Sequence, residues 1–458
     1  MVLIKGISGI RGTFEGDIEN SLNPYTIIIN SLAFGSYLQK KYNKKHCKII
    51  LGRDARISGK QISDILSSSL RQLGIDIVDL DLTTTPTLSL SIINNSAEGG
   101  IMITASHNPE EWNGLKFLSR KGEYPEEETI NEINLISNKK DFEFTYPSNW
   151  GLYTKNTTAL DSHIKEILNI SLINKDLIKK RNFKIVVDAI NSTGAFAVPY
   201  LLSMLGVSEV ITINKEMDGR FSHSPEPIPE NLKQLQKEVL EQRADLGIAI
   251  DPDVDRLVFV MENGVPFNEE YSLISIGDYV LRKTPGTIVS NLCSSQALKD
   301  ITEARGLKYF TTAVGVTNVV KKMKEENAVF GGEGSGGIIY PKLQYNKDAL
   351  VGIALFLSNL AEFNGKMTHL KSSYPQYYQV KQKRTLKENE NFNEIKEKLK
   401  IKYPNAKYNE TDGLKIEMQN EWLILRKSNT EPIIRIECES TSQKKAEELI
   451  REALEVIK

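Results

Sequence analysis

Three stretches of this chain repeat one rhythm: a short apolar run, a polar loop, then an amphipathic helical pattern. The first is KIILGRDARISGKQISDILSSSLRQLGIDIVDLDL, residues 48–82, in which Ile62, Ile65, Leu66, Leu70 and Leu73 share one helical face. FKIVVDAINSTGAFAVPYLLSMLG (183–206) and GTIVSNLCSSQALKDITEARGLKYFTTAVG (286–315) follow the same order. Apolar strand runs that alternate with helical patterns predict βαβ units and a mainly parallel sheet. Three such units within 458 residues predict several related α/β domains rather than one large core.

From about residue 375 the pattern changes. It reads as a helix, three strands (GLKIEM, EWLILRK and IIRIECES) and a last helix whose apolar stripe is Ala446, Leu449, Ile450, Ala453, Leu454 and Ile457. Successive strands flanked by helices predict a separate α+β domain. The expected boundaries are 1–145, 146–256, 257–368 and 369–458, with linkers in 139–150 and 364–375. The charged runs KKYNKK (40–45) and PEEET (125–129) read as solvated surface.

Hydrophobic residues at 40% and charged residues at 26% fit a well-packed globular chain, and a formal net charge of −1 gives no overall attraction to nucleic acid or an anionic membrane. Neither is expected as a partner, and any charged ligand must be recognised locally. Cys47, Cys293 and Cys438 lie far apart without CxxC pairing, which predicts neither a disulfide framework nor a zinc knuckle and fits a reducing compartment. MVLIKGISGIRG lacks the basic and apolar regions of a signal peptide, and no run approaches the roughly 18 apolar residues of a membrane span. A cytoplasmic location is the expectation. Nothing in the sequence sets an oligomeric state.

Chemistry concentrates in four places. In DLGIAIDPDVDRLVFV (245–260), Asp251, Asp253 and Asp255 alternate, so in an extended chain their carboxylates project from one face. Three such charges repel unless they surround a cation or are bound to strong donors, and hard oxygen ligands at this density suit Mg²⁺. In LILRKSNTEPIIRIE (423–437), Arg426, Ser428, Asn429 and Thr430 fall in a loop between two strands, with Arg435 after it. A guanidinium, hydroxyls and loop amides can cup a phosphate, although such a hairpin is also an ordinary turn. In VFGGEGSGGIIYP (329–341), glycines surround Glu333 and Ser335 without nucleotide-loop spacing; a carboxylate and a hydroxyl there suit sugar hydroxyls. In GGIMITASHNPEEWNGLKF (99–117), Ser106 has His107 as its neighbour, and adjacent side chains generally point apart. No G-x-S-x-G elbow surrounds it, so a hydrolase triad is not expected.

These stretches, in this order, resemble the α-D-phosphohexomutase superfamily over essentially the whole chain, beginning with GISGIRG at 6–12. TASHNP is similar to that family's phosphoserine loop, DPDVDR to its metal loop, GGEGSGG to its sugar loop and RKSNTEPIIRI to its phosphate loop. The resemblance implies three related α/β domains with mainly parallel mixed sheets plus the C-terminal α+β domain, arranged around a central cleft. It implies that Ser106 carries a phosphoryl group and that Asp251, Asp253 and Asp255 bind Mg²⁺ together with that group on Ser106. Arg11 and Lys116 would assist proton transfer and charge stabilisation, with His107 as a local hydrogen-bonding residue and Arg256 as a further phosphate or loop contact. Glu333 and Ser335 would hold sugar hydroxyls. Arg426, Ser428, Asn429, Thr430 and Arg435 would hold the non-reacting phosphate.

The implied reaction moves a phosphoryl group between O6 and O1 of a hexose through a 1,6-bisphosphate, which also serves as activator. Within the family the expected substrates are glucosamine 6-phosphate and glucosamine 1-phosphate, with the glucose and mannose phosphates as the alternative. Two departures stand out. The family's metal loop is often D-G-D-x-D, whereas Pro252 here rules out positive φ at its position. Its sugar loop often ends in a histidine where this chain has Gly337, which removes a polar contact.

Overall fold

The computed structural model describes residues 3–7, 9–386, 390–427 and 433–457. The chain forms two compact units: 1–279 with 335–368, and 280–334 with 369–458.

The first unit is built on two sheets. The larger has seven strands in the order Ile4–Gly6, Gly9–Thr13, Trp112–Ser119, Gly99–Ile103, Lys48–Arg53, Asp76–Leu82 and Tyr153–Lys155. The last four run parallel and the first three pair antiparallel, so the sheet is mixed. Strand Gly99–Ile103 is buried along its whole length, which accounts for its unbroken apolar run. Helix Gly59–Arg71 follows the parallel strand Lys48–Arg53, as the sequence rhythm predicts, and buries Ile62, Leu66 and Leu70. Helix Pro24–Tyr42 begins where Asn23 and Thr26 cap each other's backbone and ends at Asn43, which adopts left-handed φ. Its Phe34 stacks on Phe117 of the sheet at 4.6 Å.

The smaller sheet orders Leu257–Met261, Leu246–Ile250, Lys184–Asp188 and Glu209–Ile213, parallel except for the first strand. Helix Ala349–Phe363 packs against helices of this unit, and the Asp348 carboxylate caps its start by accepting from the amides of Leu350 and Val351.

The second unit contains three parallel strands, Tyr309–Thr312, Ile288–Asn291 and Phe330–Glu333. It also contains a five-stranded antiparallel sheet ordered Tyr378–Thr385, Ile433–Ser440, Glu421–Lys427, Leu414–Met418 and Lys407–Asn409. Helices Phe392–Lys402 and Gln443–Val456 cover one face, burying Leu399, Leu423, Leu425, Ile436 and Leu449. The sequence pattern predicts three strands here. The two that it misses are edge strands, where little side-chain burial remains to write an alternation: YQVKQKRT is mostly exposed and KYN is only three residues long. The expected linker 364–375 also differs, because Met367–Ser372 is a short helix. Among the described residues no helix is long and apolar enough to cross a membrane.

Two parallel strands of the first unit set the place of the chemistry. Gly99–Ile103 and Leu246–Ile250 both end in polar loops, 104–111 and 251–256, and ligands of open α/β sheets bind at such carboxyl ends.

Candidate active site

The two loops meet. Ser106 is buried, with its backbone at φ +51°, a left-handed conformation costly for a serine. Its hydroxyl donates to Asp251 Oδ2 at 2.7 Å, and its amide donates to Thr104 Oγ1 at 2.8 Å. His107 Nδ1 lies 3.4 Å from the same hydroxyl, although neighbouring side chains were expected to diverge. Ser106, the residue with left-handed φ, is the first of the two. The short bond is still the one to Asp251.

The aspartates converge by a turn and not by the pleat of an extended strand. Asp251, Asp253 and Asp255 lie beyond the end of strand Leu246–Ile250, and the left-handed residue among them is Val254, at φ +62°. Val254 donates its amide to Asp251 O at 3.0 Å, which closes the turn. A β-branched residue in this region is strained and persists only where its surroundings over-determine it. The three carboxylates are buried, and one oxygen from each lies within 4.8 Å of the others.

Each carboxylate has a distinct environment. Asp251 Oδ1 accepts from the amides of Asp255 and Arg256, both at 3.0 Å. Asp253 Oδ2 accepts from the Thr85 hydroxyl and from Lys116 Nζ, the latter at 2.6 Å. Asp255 is bracketed by two ammonium groups, Lys116 on Oδ2 and Lys347 on Oδ1, each at 3.0 Å. Burial, then the charges of Asp253 and Asp255, push the Asp251 carboxyl up to about 8. For Asp255 burial acts in the same direction, but Lys116, Lys347 and Arg256 outweigh it and hold the group below the usual carboxylate range. Burial works against the Lys116 ammonium, and Asp253 with Asp255 more than compensates, so its pKa rises.

These residues fit a divalent cation. Asp253 Oδ1 is buried and has no hydrogen-bond partner, an arrangement that costs free energy unless something positive completes it. Hard carboxylate oxygens at this spacing are the donor set of Mg²⁺.

Other predicted residues fall around this corner or apart from it. Arg11, on strand Gly9–Thr13, reaches Asn108 Oδ1 at 3.2 Å in the serine loop. Arg256 reaches His107 Nε2 at 3.3 Å and pairs with Glu226 at 2.9 Å. Burial, reinforced by Arg256 and Arg11, pushes the His107 imidazole well below its ordinary pKa. Ser335 is half-buried, and its loop is tied to the end of the aspartate loop because Leu257 N donates to Gly336 O at 3.0 Å. Gly336 has φ +87°, and a Cβ there would sit 2.6 Å from Leu257 O, so this approach requires glycine.

Glu333, Arg426 and Arg435 belong to the second unit. Glu333 is buried and accepts from Gly315 N at 3.1 Å and Asn291 Nδ2 at 3.3 Å. Arg426 and Arg435 are direct cross-strand partners, and Lys383 pairs with Arg435 on the other side. Directly opposed residues share a sheet face, so three cations line up across three strands, an arrangement that favours an anion above it. Arg426 Nε donates to Asp412 Oδ2 at 2.8 Å. Ser428, Asn429 and Thr430 lie outside the described residues.

Four family models match in sequence order: phosphoglucomutase/phosphomannomutase alpha/beta/alpha domain I over residues 2–144, domain II over 161–264, domain III over 268–378, and the C-terminal domain over 378–456. The chain belongs to the phosphoglucomutase/phosphomannomutase family. It is 33% identical to a phosphoglucomutase/phosphomannomutase of Thermococcus kodakarensis, over 99% of this chain and 98% of that one. It is 32% identical to a phosphoglucosamine/phosphogalactosamine mutase of Sulfurisphaera tokodaii, over 99% and 98%. A crystal structure of a phosphoglucomutase/phosphomannomutase family protein from Burkholderia thailandensis superposes with a TM-score of 0.84 at 25% identity, covering 98% of this chain and 96% of that one. The protein is thus a phosphohexomutase, acting on sugar phosphates.

Several residues of the phosphohexomutase corner escaped the sequence reading. Arg56 is wholly buried and donates to three carbonyls of the serine loop, Ser106 at 2.7 Å, Asn108 at 2.6 Å and Pro109 at 2.6 Å, and to Trp112 at the start of the next strand at 2.8 Å. Asp54 receives its Nε at 3.2 Å and also accepts from the Thr104 hydroxyl at 2.6 Å. Thr85 and Lys347 complete the set. The available signal was position: Asp54 and Arg56 follow a buried parallel strand, where sheet topology places ligand-facing loops.

Proposed function

We propose that this phosphohexomutase interconverts glucosamine 6-phosphate and glucosamine 1-phosphate through a phosphoryl group carried on Ser106. The observation that carries the reading is the Ser106 hydroxyl, 2.7 Å from Asp251 within a cluster of three buried carboxylates. A serine so placed is poorly set up for hydrolase chemistry and well set up to bear a phosphate whose charge a cation shares.

In the proposed cycle the bond from Ser106 Oγ to phosphorus breaks as the substrate's free hydroxyl bonds to that phosphorus, and the proton that this hydroxyl loses passes, on balance, to the departing Ser106 Oγ. The resulting 1,6-bisphosphate reorients and returns its other phosphate to Ser106. A free sugar 1,6-bisphosphate would prime unmodified enzyme in the same manner. Asp251, Asp253 and Asp255 would hold Mg²⁺, which when bound supplies positive charge to the transferring oxygens. Lys116, fixed by two carboxylates, presents a permanent charge beside the reacting group. Arg11, through Asn108, keeps a second charge at the serine loop. Arg56 holds that loop in its left-handed turn, and the burial of Ser106 limits access of water to its phosphate. The row Arg426, Arg435 and Lys383, together with Ser428, Asn429 and Thr430, would bind the phosphate that is not reacting, while Glu333 and Ser335 would hold ring hydroxyls. Free thiols at Cys47, Cys293 and Cys438 support a reducing, cytoplasmic setting.

The sugar preference rests on similarity to phosphoglucosamine mutases, and the names of the relatives also support the phosphoglucomutase/phosphomannomutase alternative. Steady-state kcat/KM for the glucosamine, glucose and mannose 6-phosphates, with equal bisphosphate activation, decides between them. We expect glucosamine phosphate to lead by about tenfold, or roughly 1.4 kcal/mol in transition-state binding. Equal or higher values for glucose or mannose phosphate overturn the sugar assignment and leave the phosphoserine mechanism standing. Peptide mass spectrometry that finds phosphate only away from Ser106 overturns the mechanism.

A further inference from the structure

The strained turn at Val254 is gripped from two sides. Thr85 N donates to Asp253 O at 2.9 Å, and Ala349 N donates to Val254 O at 3.3 Å. Each donor is the first residue of a helix, Thr85–Asn94 on one side and Ala349–Phe363 on the other. A left-handed valine persists only where its surroundings over-determine it, so these two helix starts must keep a fixed separation.

His163 spans that separation. It lies wholly buried in helix Ala159–Leu168 and reaches the cap of one helix directly and the cap of the other through one hydroxyl. On the first side Nε2 is 2.9 Å from Asp348 Oδ2. Asp348 already accepts from the amides of Leu350 and Val351 and from Gln344 Nε2, so it is the acceptor here too and the imidazole donates. On the second side Nδ1 is 2.9 Å from Thr87 Oγ1. That oxygen accepts, at 2.7 Å, from the hydroxyl of Thr84, which caps helix Thr85–Asn94. All of these residues belong to the first unit, and they come from the regions matched as domains I, II and III.

Neither cap needs the histidine in order to cap. Thr84 Oγ1 accepts from Thr87 N, and Asp348 Oδ1 from Leu350 N and Val351 N, within their own helices. What the imidazole adds is the spacing between the two helix starts, and through Thr85 and Ala349 the placement of the Asp253–Val254 backbone.

We propose that His163 is a positioning residue for the aspartate turn. By joining the two caps it keeps Asp253 Oδ1, buried and without a hydrogen-bond partner, aimed where a metal takes it. The proposal rests on the reading of the triad as a Mg²⁺ site. Groups that orient metal ligands from behind are worth about 10–100-fold in metal affinity or turnover.

The test uses full-length protein, isothermal titration with MgCl₂ after chelator treatment, mutase kinetics at saturating Mg²⁺, and thermal melts. His163→Leu removes both bonds and keeps an apolar filling. It should bind Mg²⁺ about tenfold more weakly and lose about tenfold in kcat, with KM for the sugar phosphate within about twofold of wild type. His163→Gln, whose amide can still donate to Asp348, should recover part of both losses. A histidine that only supports the fold would lower the melting temperature and leave affinity and kcat of the folded variant at wild-type values. That result overturns the proposal. If His163→Leu does not fold, Thr87→Ala decides, because it cuts the other half of the bridge with less loss of packing. It should weaken Mg²⁺ binding by a smaller factor, and unchanged or tighter binding overturns the proposal equally. Asp253→Asn separates the two readings. Wild-type protein that binds no Mg²⁺, or Asp253→Asn that binds it as well as wild type, removes the metal site and this proposal together. Metal binding that is lost in Asp253→Asn but unchanged in the histidine and threonine variants removes this proposal alone.

Discussion

The corner around Ser106 and the strand pair carrying Arg426 and Arg435 both gather positive charge, which the proposed function assigns to phosphate, yet they are built in opposite ways. At the corner the charges are buried and mutually paired: Arg56 with Asp54, Lys116 with Asp253 and Asp255, Lys347 with Asp255. On the C-terminal sheet Arg435 and Lys383 are exposed, Arg426 is half-buried, and the three sit on neighbouring strands of like charge. Burial makes each group at the corner part of the fold, since removing one partner strands the other without water. Exposure leaves the C-terminal cations nearly irrelevant to stability. Substitutions should therefore confound folding with chemistry in the first region and separate them in the second.

The largest effect should come at the corner, from two variants that are catalytically alike and energetically different. Arg56→Met leaves Asp54 as a buried, unpaired carboxylate and deprives four backbone carbonyls of their donor. Loss of a buried ion-pair partner costs about 3–5 kcal/mol, and the serine loop should no longer hold its left-handed turn. Ser106→Ala removes only a hydroxyl and should lower mutase turnover by at least about a thousandfold, as expected for the residue that carries the transferred group. Chemical denaturation should place Ser106→Ala within about 1 kcal/mol of wild type and Arg56→Met far below it. Comparable stability for the two would erase the contrast between the regions at its strongest point.

How much of this was readable beforehand follows the same division. The apolar runs of Lys48–Arg53, Lys184–Asp188 and Ile288–Asn291 are legible because parallel strands are buried on both faces, so burial is written into every residue but the charged ends Lys48, Arg53 and Lys184. The edge strand Tyr378–Thr385 is not, because its exposed positions carry Lys381, Gln382 and Lys383 as a loop would. In the site, Ser106, Asp251, Asp253 and Asp255 stand out because chemistry-bearing residues cluster within a few positions. Arg56, Thr85 and Lys347 belong to the same corner through contacts spanning 50, 168 and 92 positions of sequence, and no local pattern encodes those distances. The turn itself was also hidden. Alternating aspartates suggest a pleat, and only the left-handed backbone at Val254 shows that they converge by folding back.

The next effect in size belongs to the C-terminal sheet. Arg426→Ala should lower kcat/KM for both the 6-phosphate and the 1-phosphate, because the proposed clamp holds whichever phosphate is not reacting. Loss of one charged hydrogen-bond partner is worth about 2–3 kcal/mol, a factor of roughly 30–150. Stability should stay within about 1 kcal/mol of wild type, since deleting Arg426 also relieves its opposition to Arg435. An effect confined to one substrate would show that the sheet serves one binding orientation only.

The smallest effect should come from Asp412→Asn. Asp412 Oδ2 accepts from Arg426 Nε at 2.8 Å and from the Val314 amide at 2.9 Å, and both groups remain able to donate to an asparagine oxygen. The substitution removes a negative charge beside the clamp without removing the clamp. Two consequences oppose each other. A less tightly held guanidinium loses orientation, which weakens substrate binding, while the loss of a nearby carboxylate strengthens its attraction for phosphate. The pair is partly exposed, with side-chain accessibilities of 16% and 23%, so screening by salt reduces the second term more than the first. KM should therefore change by no more than about threefold at moderate ionic strength, the range of an exposed ion pair worth about 0.2–1 kcal/mol. It should shift upward relative to wild type as salt is added, and kcat should not move, because Asp412 positions a binding group and touches no reacting atom. A fall in kcat of tenfold or more would mean that Asp412 acts on the chemical step, and the contrast between a reacting corner and a recognising sheet would then be drawn in the wrong place.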